Sequence, residues 1–308
     1  MQALLGIGVI VLCVFGGFAL NGGKFNIIWQ PIEVGIILGG GLGAIILGNP
    51  RHVLAEMWLQ LKHIVPRKNV DAEFQRQLLL LMYELLQLAA GGLKALDAHV
   101  EAPGESPIFR RYPLVLEQRK LLHFIVDNFR LMAMGKVSAH ELEGVLDQEI
   151  GSIREELARP ARSLARIGDA MPGFGILAAV LGIVTAMTSV ANGAAAGEVA
   201  IAVAKAMVGT FIGIFMCYGV LDPVSNRMRQ LVEEESHALE SVKVVLVTHA
   251  SGKPPLLAID AGRRLIKLNV KPSFARLESW IEALRSGGED AAAPRRRTGE
   301  RMMEGARA

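Results

Sequence analysis

The chain has 308 residues, 51% of them hydrophobic and only 20% charged, a mixture too apolar for an ordinary soluble protein of this length. Its net charge of +3 needs no nucleic-acid partner once the placement of the basic residues is explained by topology. Two cysteines, Cys13 and Cys217, both inside apolar runs, read as small lipid- or helix-facing residues and imply no disulfide or metal framework.

Apolar residues are concentrated rather than spread. Residues 1–20 carry no charge and predict a first membrane span, uncleaved because no basic start precedes it and three more apolar runs follow. Residues 32–50 predict a second span. Just beyond it, Leu54, Met57, Trp58, Leu61 and Val65 repeat at helical spacing, with Lys62, His63, Arg67 and Lys68 on the polar side. Such a helix lies along an anionic membrane surface or packs against its own domain, and the pattern fits both.

Residues 51–170 predict a cytoplasmic helical domain without strands. It begins with a leucine-dense helix over 71–88, interrupted at Gly91-Gly92 and resuming over 93–100. After a turn at Pro103-Gly104, helices are predicted over 114–134 and 138–159, the second broken or bent by Pro160. A third span is predicted over 171–191 and a fourth over 201–222, with Lys205 snorkelling. Further cytoplasmic helices fill 223–285, around a loop at 251–255. The remainder, 286–308, is poor in apolar residues and is expected to be a disordered tail with a basic run at Arg295–Arg297. The fold class is therefore all-α, an integral membrane protein with four transmembrane helices and a helical cytoplasmic domain.

Of 33 Lys and Arg residues, 16 lie between Arg51 and Asp169 and 15 follow Pro223. Positive residues collect on the cytoplasmic side, so both termini are expected there.

Enzyme signatures are missing. The histidines are scattered, "SGK" at 251–253 is followed by Pro254 where a phosphate loop needs Ser or Thr, and no nucleophile elbow is present. The sequence points away from an enzyme, and no cofactor or metal is expected. A more specific signal lies in the last two spans. Gly175, Ala179, Gly182, Ala186 and Ser189 recur at steps of 3 and 4, as do Ala202, Ala206, Gly209 and Gly213, with Thr210 beside them. Small residues on one face let helix backbones approach closely in lipid. The stripes serve a tight multi-helix assembly or simply the packing of these two helices on each other. No ionisable residue falls at mid-depth in any predicted span; Glu33, Lys205 and Asp222 sit at span ends. An ion pathway normally keeps a titratable group, so either the chain transports nothing or another chain supplies the acid. Thr185 and Thr188 read as hydroxyls satisfied by their own helix.

The segments "GDAMPGFGILAAVLGIV", "AKAMVGTFIGIF" and "YGVLDP" resemble the last two spans of the MotA family, stator proteins of the bacterial flagellar motor, grouped with TolQ and ExbB. "VFGGFALNGG", "QPIEVGIILGGGLGAIILGN", "EAPGESPIFRRYP", "FIVDNFRLM" and "PPLLAIDAGRR" are similar to further MotA segments, in the same order, up to about Leu284. The resemblance implies several copies, five in current descriptions, around two copies of MotB, whose span carries the protonatable aspartate and whose periplasmic domain holds peptidoglycan. It also implies a cytoplasmic domain that pushes on the rotor protein FliG, and residence in the bacterial inner membrane. Pro172 and Pro223 match the family's two coupling prolines, Thr210 matches the threonine facing the ion path, and Ala179 matches a position where sodium-driven members carry threonine, which favours protons. The family's rotor-facing arginine is replaced by Ala89; Asp97 takes the place of the glutamate eight residues on, Lys94 is a candidate substitute cation, and Glu149 matches another acidic position. A TolQ/ExbB-like energiser of an outer-membrane process and a non-conducting membrane scaffold are the alternatives, the first disfavoured by the N-terminal hairpin.

Overall fold

The computed structural model describes residues 2–62, 64, 70–91, 93–134 and 137–287. Among them every regular element is helical. In chain order these are α1 (Gln2–Leu20), α2 (Phe25–Ile28), α3 (Pro31–Gly48), α4 (Arg51–Lys62), α5 (Val70–Gly91), α6 (Leu93–Glu101), α7 (Pro107–Arg110), α8 (Pro113–Leu116) and α9 (Arg119–Ala133). The long α10 (Ala139–Ala191) and α11 (Ala196–Ile214) follow, then a π-helical segment (Phe215–Leu221), α12 (Asp222–Ala250), α13 (Pro255–Arg264) and α14 (Phe274–Arg285). Among the described residues three helical stretches are long and apolar enough to cross a membrane, Pro31–Gly48, Ala139–Ala191 and Ala196–Ala250, with a shorter apolar helix at Leu5–Leu20. This is the all-α architecture the sequence predicts, and four spans fit it. The tail from Gly288, with Arg295–Arg297, lies outside the described residues, as do His63, Val65, Arg67 and Lys68.

The chain forms two compact units, each built from two separate stretches. The first holds residues 1–67 and 151–234. Here α3 runs against α10: a Cβ on Gly41 would lie 2.2 Å from the Met171 methyl and one on Gly40 would lie 2.8 Å from the Phe174 ring. Ile37, Ile167, Met171, Ala178 and Cys217 form the buried cluster behind them. Phe15 of α1 meets Phe211 and Phe215 edge-on, with centroids 6.1 and 5.4 Å away. Helices α1 and α10 end alike. Gly22 (φ +79°) and Gly193 (φ +83°) take the left-handed conformation that costs glycine little. The amide after each, of Gly23 and Ala194, reaches back to Phe18 and Ser189, closing a Schellman motif.

Helix α4 packs into this unit. Met57 lies in a cluster with Ala161, Leu164 and Met228, and Gln60 Nε2 donates to the Leu157 carbonyl at 2.9 Å. Trp58 stays exposed with the Lys62 ammonium over its ring. Of the two uses open to this amphipathic helix, packing accounts for the Val53, Met57 and Gln60 face.

The second unit holds residues 68–150 and 235–308. Its core is α5, buried continuously from Leu78 to Tyr83 and packed on α6, α13 and α14. Polar groups at its edge are satisfied across elements. Tyr83 accepts from Arg285 Nε at 2.8 Å, Tyr112 donates to Glu84 Oε1 at 2.7 Å, and Arg111 pairs with the other Glu84 oxygen. Burial pushes the Glu84 carboxyl up, against the pull of Tyr112 and Arg111, and burial followed by the Glu84 hydrogen bond raises the Tyr112 phenol. Helix α10 begins at a capping box, in which Ser138 and Glu141 exchange side-chain-to-backbone hydrogen bonds at 3.3 and 2.9 Å.

Two expectations are corrected. Pro160 does not end a helix; α10 runs through both it and Pro172. A proline removes one ladder donor and crowds the carbonyl four residues back. Here Ala161 and Leu164 are buried on α4 and α12, so packing carries the helix past the lost bond. The helix predicted from Leu114 starts at Arg119, because Pro113–Leu116 forms a separate turn.

Candidate functional site

The stripes of small residues in α10 and α11 face each other within one chain. A Cβ on Gly175 would lie 2.7 Å from the Gly209 carbonyl oxygen, and one on Gly213 would lie 2.6 Å from that of Met171. On Gly182 it would meet the Ala206 methyl at 2.7 Å. These distances leave no room for a side chain, so glycine here is a condition of the backbone approach. Of the two uses the sequence left open, this chain spends these faces on its own hairpin.

Ala179 and Thr210 flank that seam. A Cβ on Gly209 would touch the Ala179 amide nitrogen at 3.4 Å, and the Thr210 Cα lies beside Gly175. Ala179 is buried, whereas Thr210 is half-buried. Thr185 and Thr188 donate back to the Leu181 and Thr185 carbonyls at 3.0 and 2.7 Å, so their hydroxyls are satisfied within α10.

Each of the two prolines interrupts the hydrogen-bond ladder of its own helix. Pro172 lies inside α10 rather than at a helix start, and Pro223 is the second residue of α12, just past the π-helical segment. Lacking amide protons, they release the carbonyls of Gly168 and Gly219 from the usual ladder. Gly168 packs against Leu221, where its Cβ would lie 3.2 Å from that of Leu221, and Cys217 is buried with Ile167 and Met171. Two exposed carboxylates, Asp169 and Asp222, precede the prolines. Sequence reading named the prolines but not Asp169, whose only signal is its place in "GDAMPG".

Residues 4–92 match the Motility protein A N-terminal family, and residues 117–241 match the MotA/TolQ/ExbB proton channel family. The chain is 50% identical to the chemotaxis protein LafT of Vibrio parahaemolyticus, over 91% of this chain and 98% of that protein. It is 37% identical to motility protein A of Salmonella typhimurium, over 93% of this chain and 97% of the relative. The chain belongs to the MotA family. Its fold is similar to MotAB of C. jejuni, with a TM-score of 0.68 at 16% identity over 87% of this chain and 96% of that one. The MotAB stator complex of Bacillus subtilis gives 0.62 at 21% identity over 90% and 98%.

The charges that MotA resemblance assigns to the rotor face lie in the second unit. Asp97 is exposed on α6, whose Leu96 and Val100 are buried. Ala89 is half-buried near the end of α5, and the Lys94 side chain lies outside the described residues. Glu149 is half-buried on α10 and accepts from Asn128 Nδ2 at 3.2 Å, so one of its oxygens already has an intramolecular partner.

Sequence reading missed the position of Glu33. Placed at a span end by its apolar run, it packs instead against the middle of the last two spans. Its Oε1 lies 3.5 Å from the place of a Gly182 Cβ, its carboxylate sits by the Gly209 backbone, and its Oε2 is buried without a hydrogen-bond partner.

Proposed function

We propose that this chain is a proton-conducting stator subunit of the bacterial flagellar motor, set in the inner membrane with both termini in the cytoplasm. MotB supplies the protonatable aspartate and the peptidoglycan anchor, and several copies of this chain, five by resemblance, surround a MotB dimer. Proton passage past the aspartate drives motion that the cytoplasmic domain delivers to FliG. The observation that carries this reading is the α10–α11 hairpin: a wall of small uncharged residues, with one proline inside α10 and another just past the π-helical segment. A smooth uncharged wall lets a central acid pass while protonated, and a helix with released carbonyls bends at low cost. Thr210 offers the hydroxyl beside the path, and Ala179 backs it without one, in keeping with protons. Asp97, Lys94 and Glu149 face the rotor, where rim charges steer and set register more than they add affinity. The match of residues 4–92 to the MotA N-terminal family supports this over the TolQ/ExbB-like alternative.

Proton uptake by vesicles tests the reading. Vesicles holding this chain with MotB are expected to take up protons under an imposed gradient, and vesicles holding this chain alone are not. Equal uptake in both would leave a non-conducting scaffold. Reversing the charges of Asp97 and Lys94 together is expected to reduce swarming while leaving uptake intact; unchanged swarming would remove these residues from the rotor face.

A further inference from the structure

The last two predicted spans hold no acid at mid-depth, yet the structure brings one there. Helix α3 lies antiparallel to α10, with Gly41 at Met171, Gly40 at Phe174 and, further back along α3, Glu33 at Gly182. Gly182 stands in the middle of the uncharged run 171–190, and Gly209 within one turn of the middle of the predicted span 201–222. The carboxylate is thus carried to hairpin mid-depth by the offset of α3, although in sequence it ends its own apolar run. Its neighbours there are Gly182, Ala206 and the Gly209 backbone, none with a side chain that can pair with it. Segment 171–190 has no ionisable group; the ionisable groups of α11, Glu198 and Lys205, are exposed, as is Lys24 at the start of α2. No ion pair holds Glu33 among the described residues, and one of its oxygens is buried without a partner.

An ionisable group kept in an apolar span without a partner costs a few kcal/mol and marks a functional site by default. A structural role would call for a bonded carboxylate or none, since leaving an acceptor unmade is itself costly. We propose that Glu33 is a proton-binding residue of this chain, a stop on the α3–α10–α11 wall between outside water and the partner's acid. The carboxylate takes a proton from a water molecule, forming one O–H bond, and the neutral acid gives that proton to the next water or hydroxyl acceptor. No other bond changes. The inference rests on the stator reading above and adds to it a titratable group contributed by this chain.

The test uses the complex with MotB in vesicles, measuring proton uptake against outside pH. Glu33→Gln keeps the volume and removes the titration; uptake is expected to fall about tenfold at neutral pH, with the pH dependence flattened, and Glu33→Asp to restore most of it. Uptake by the Gln variant equal to wild type at every pH overturns the inference. If the Gln variant does not assemble, Glu33→Ser decides alone: lowered uptake with a flattened pH dependence supports the proposal, and uptake equal to wild type at every pH overturns it. Failure of the wild-type complex to conduct overturns the stator reading instead, so the two outcomes are distinguishable.

Discussion

Single residues show where charge is used for holding and where it is left free. Asp260 is buried on α13, accepting from Arg263 Nε at 2.7 Å and Arg264 Nε at 2.9 Å. Burial alone would raise its carboxyl, but the two arginines outweigh burial and hold it below the usual carboxylate range. The folded state therefore binds this proton less readily than the unfolded chain, so the stabilisation is present above about pH 4 and is lost as pH falls through the depressed value. Asp260→Asn is expected to cost about 3 kcal/mol at pH 7, because it leaves the half-buried Arg263 guanidinium without its anion. In thermal unfolding followed by circular dichroism, wild type should lose that margin on acidification and the variant should have none to lose. Glu33 is the contrasting case, a carboxylate with no ion pair among the described residues and one oxygen left without a hydrogen-bond partner, and its position was illegible for a plain reason. An apolar run locates the end of a helix along the chain, but not its offset against the helices beside it.

At the scale of elements, the spans were legible because lipid demands uncharged runs of a fixed length, and the small-residue stripes because they repeat at helical spacing. What the stripes face was not legible, since close packing within a hairpin and between copies asks for the same residues. The continuous α10 was hidden by a sound local rule. Proline penalises a helix interior, yet the burial of Ala161 and Leu164 outweighs it, and no property of residues near Pro160 announces that distant partner. The π-helical segment had only Pro223 as a signal. Its wider turn suits a proline just downstream, because the ring crowds the carbonyl four residues back. Pro223→Ala returns the amide proton, so the segment is expected to tighten towards α-helix; motility should be lost while membrane levels by immunoblot stay normal. Gly175→Val probes the seam instead. Its branched side chain meets the Gly209 carbonyl, and overpacking of about 1–3 kcal/mol should lower thermal stability and motility together. A variant with wild-type melting would show that the two backbones separate readily.

At the scale of the whole molecule, topology follows from the basic residues collected in 51–169 and after Pro223. With Cys13 and Cys217 replaced by Ala, Asn21→Cys and Asn192→Cys are expected to react with an impermeant maleimide added to spheroplasts. Ser251→Cys should react only after permeabilisation; labelling of Ser251→Cys from outside would invert the topology. The interleaving of the two units carries a consequence for synthesis. Helix α5, with buried leucines from Leu78 to Leu86, is packed on α13 and α14, which the ribosome makes only after residues 151–234. At about 5–20 residues per second, the residues 92–254 between α5 and α13 impose a delay on the order of 8–33 seconds. Through that interval the most apolar helix of the second unit waits for its cover while two spans are still to be threaded into the bilayer. The nascent chain is thus most exposed to aggregation and proteolysis in mid-translation, at the stage when a holding chaperone would matter most.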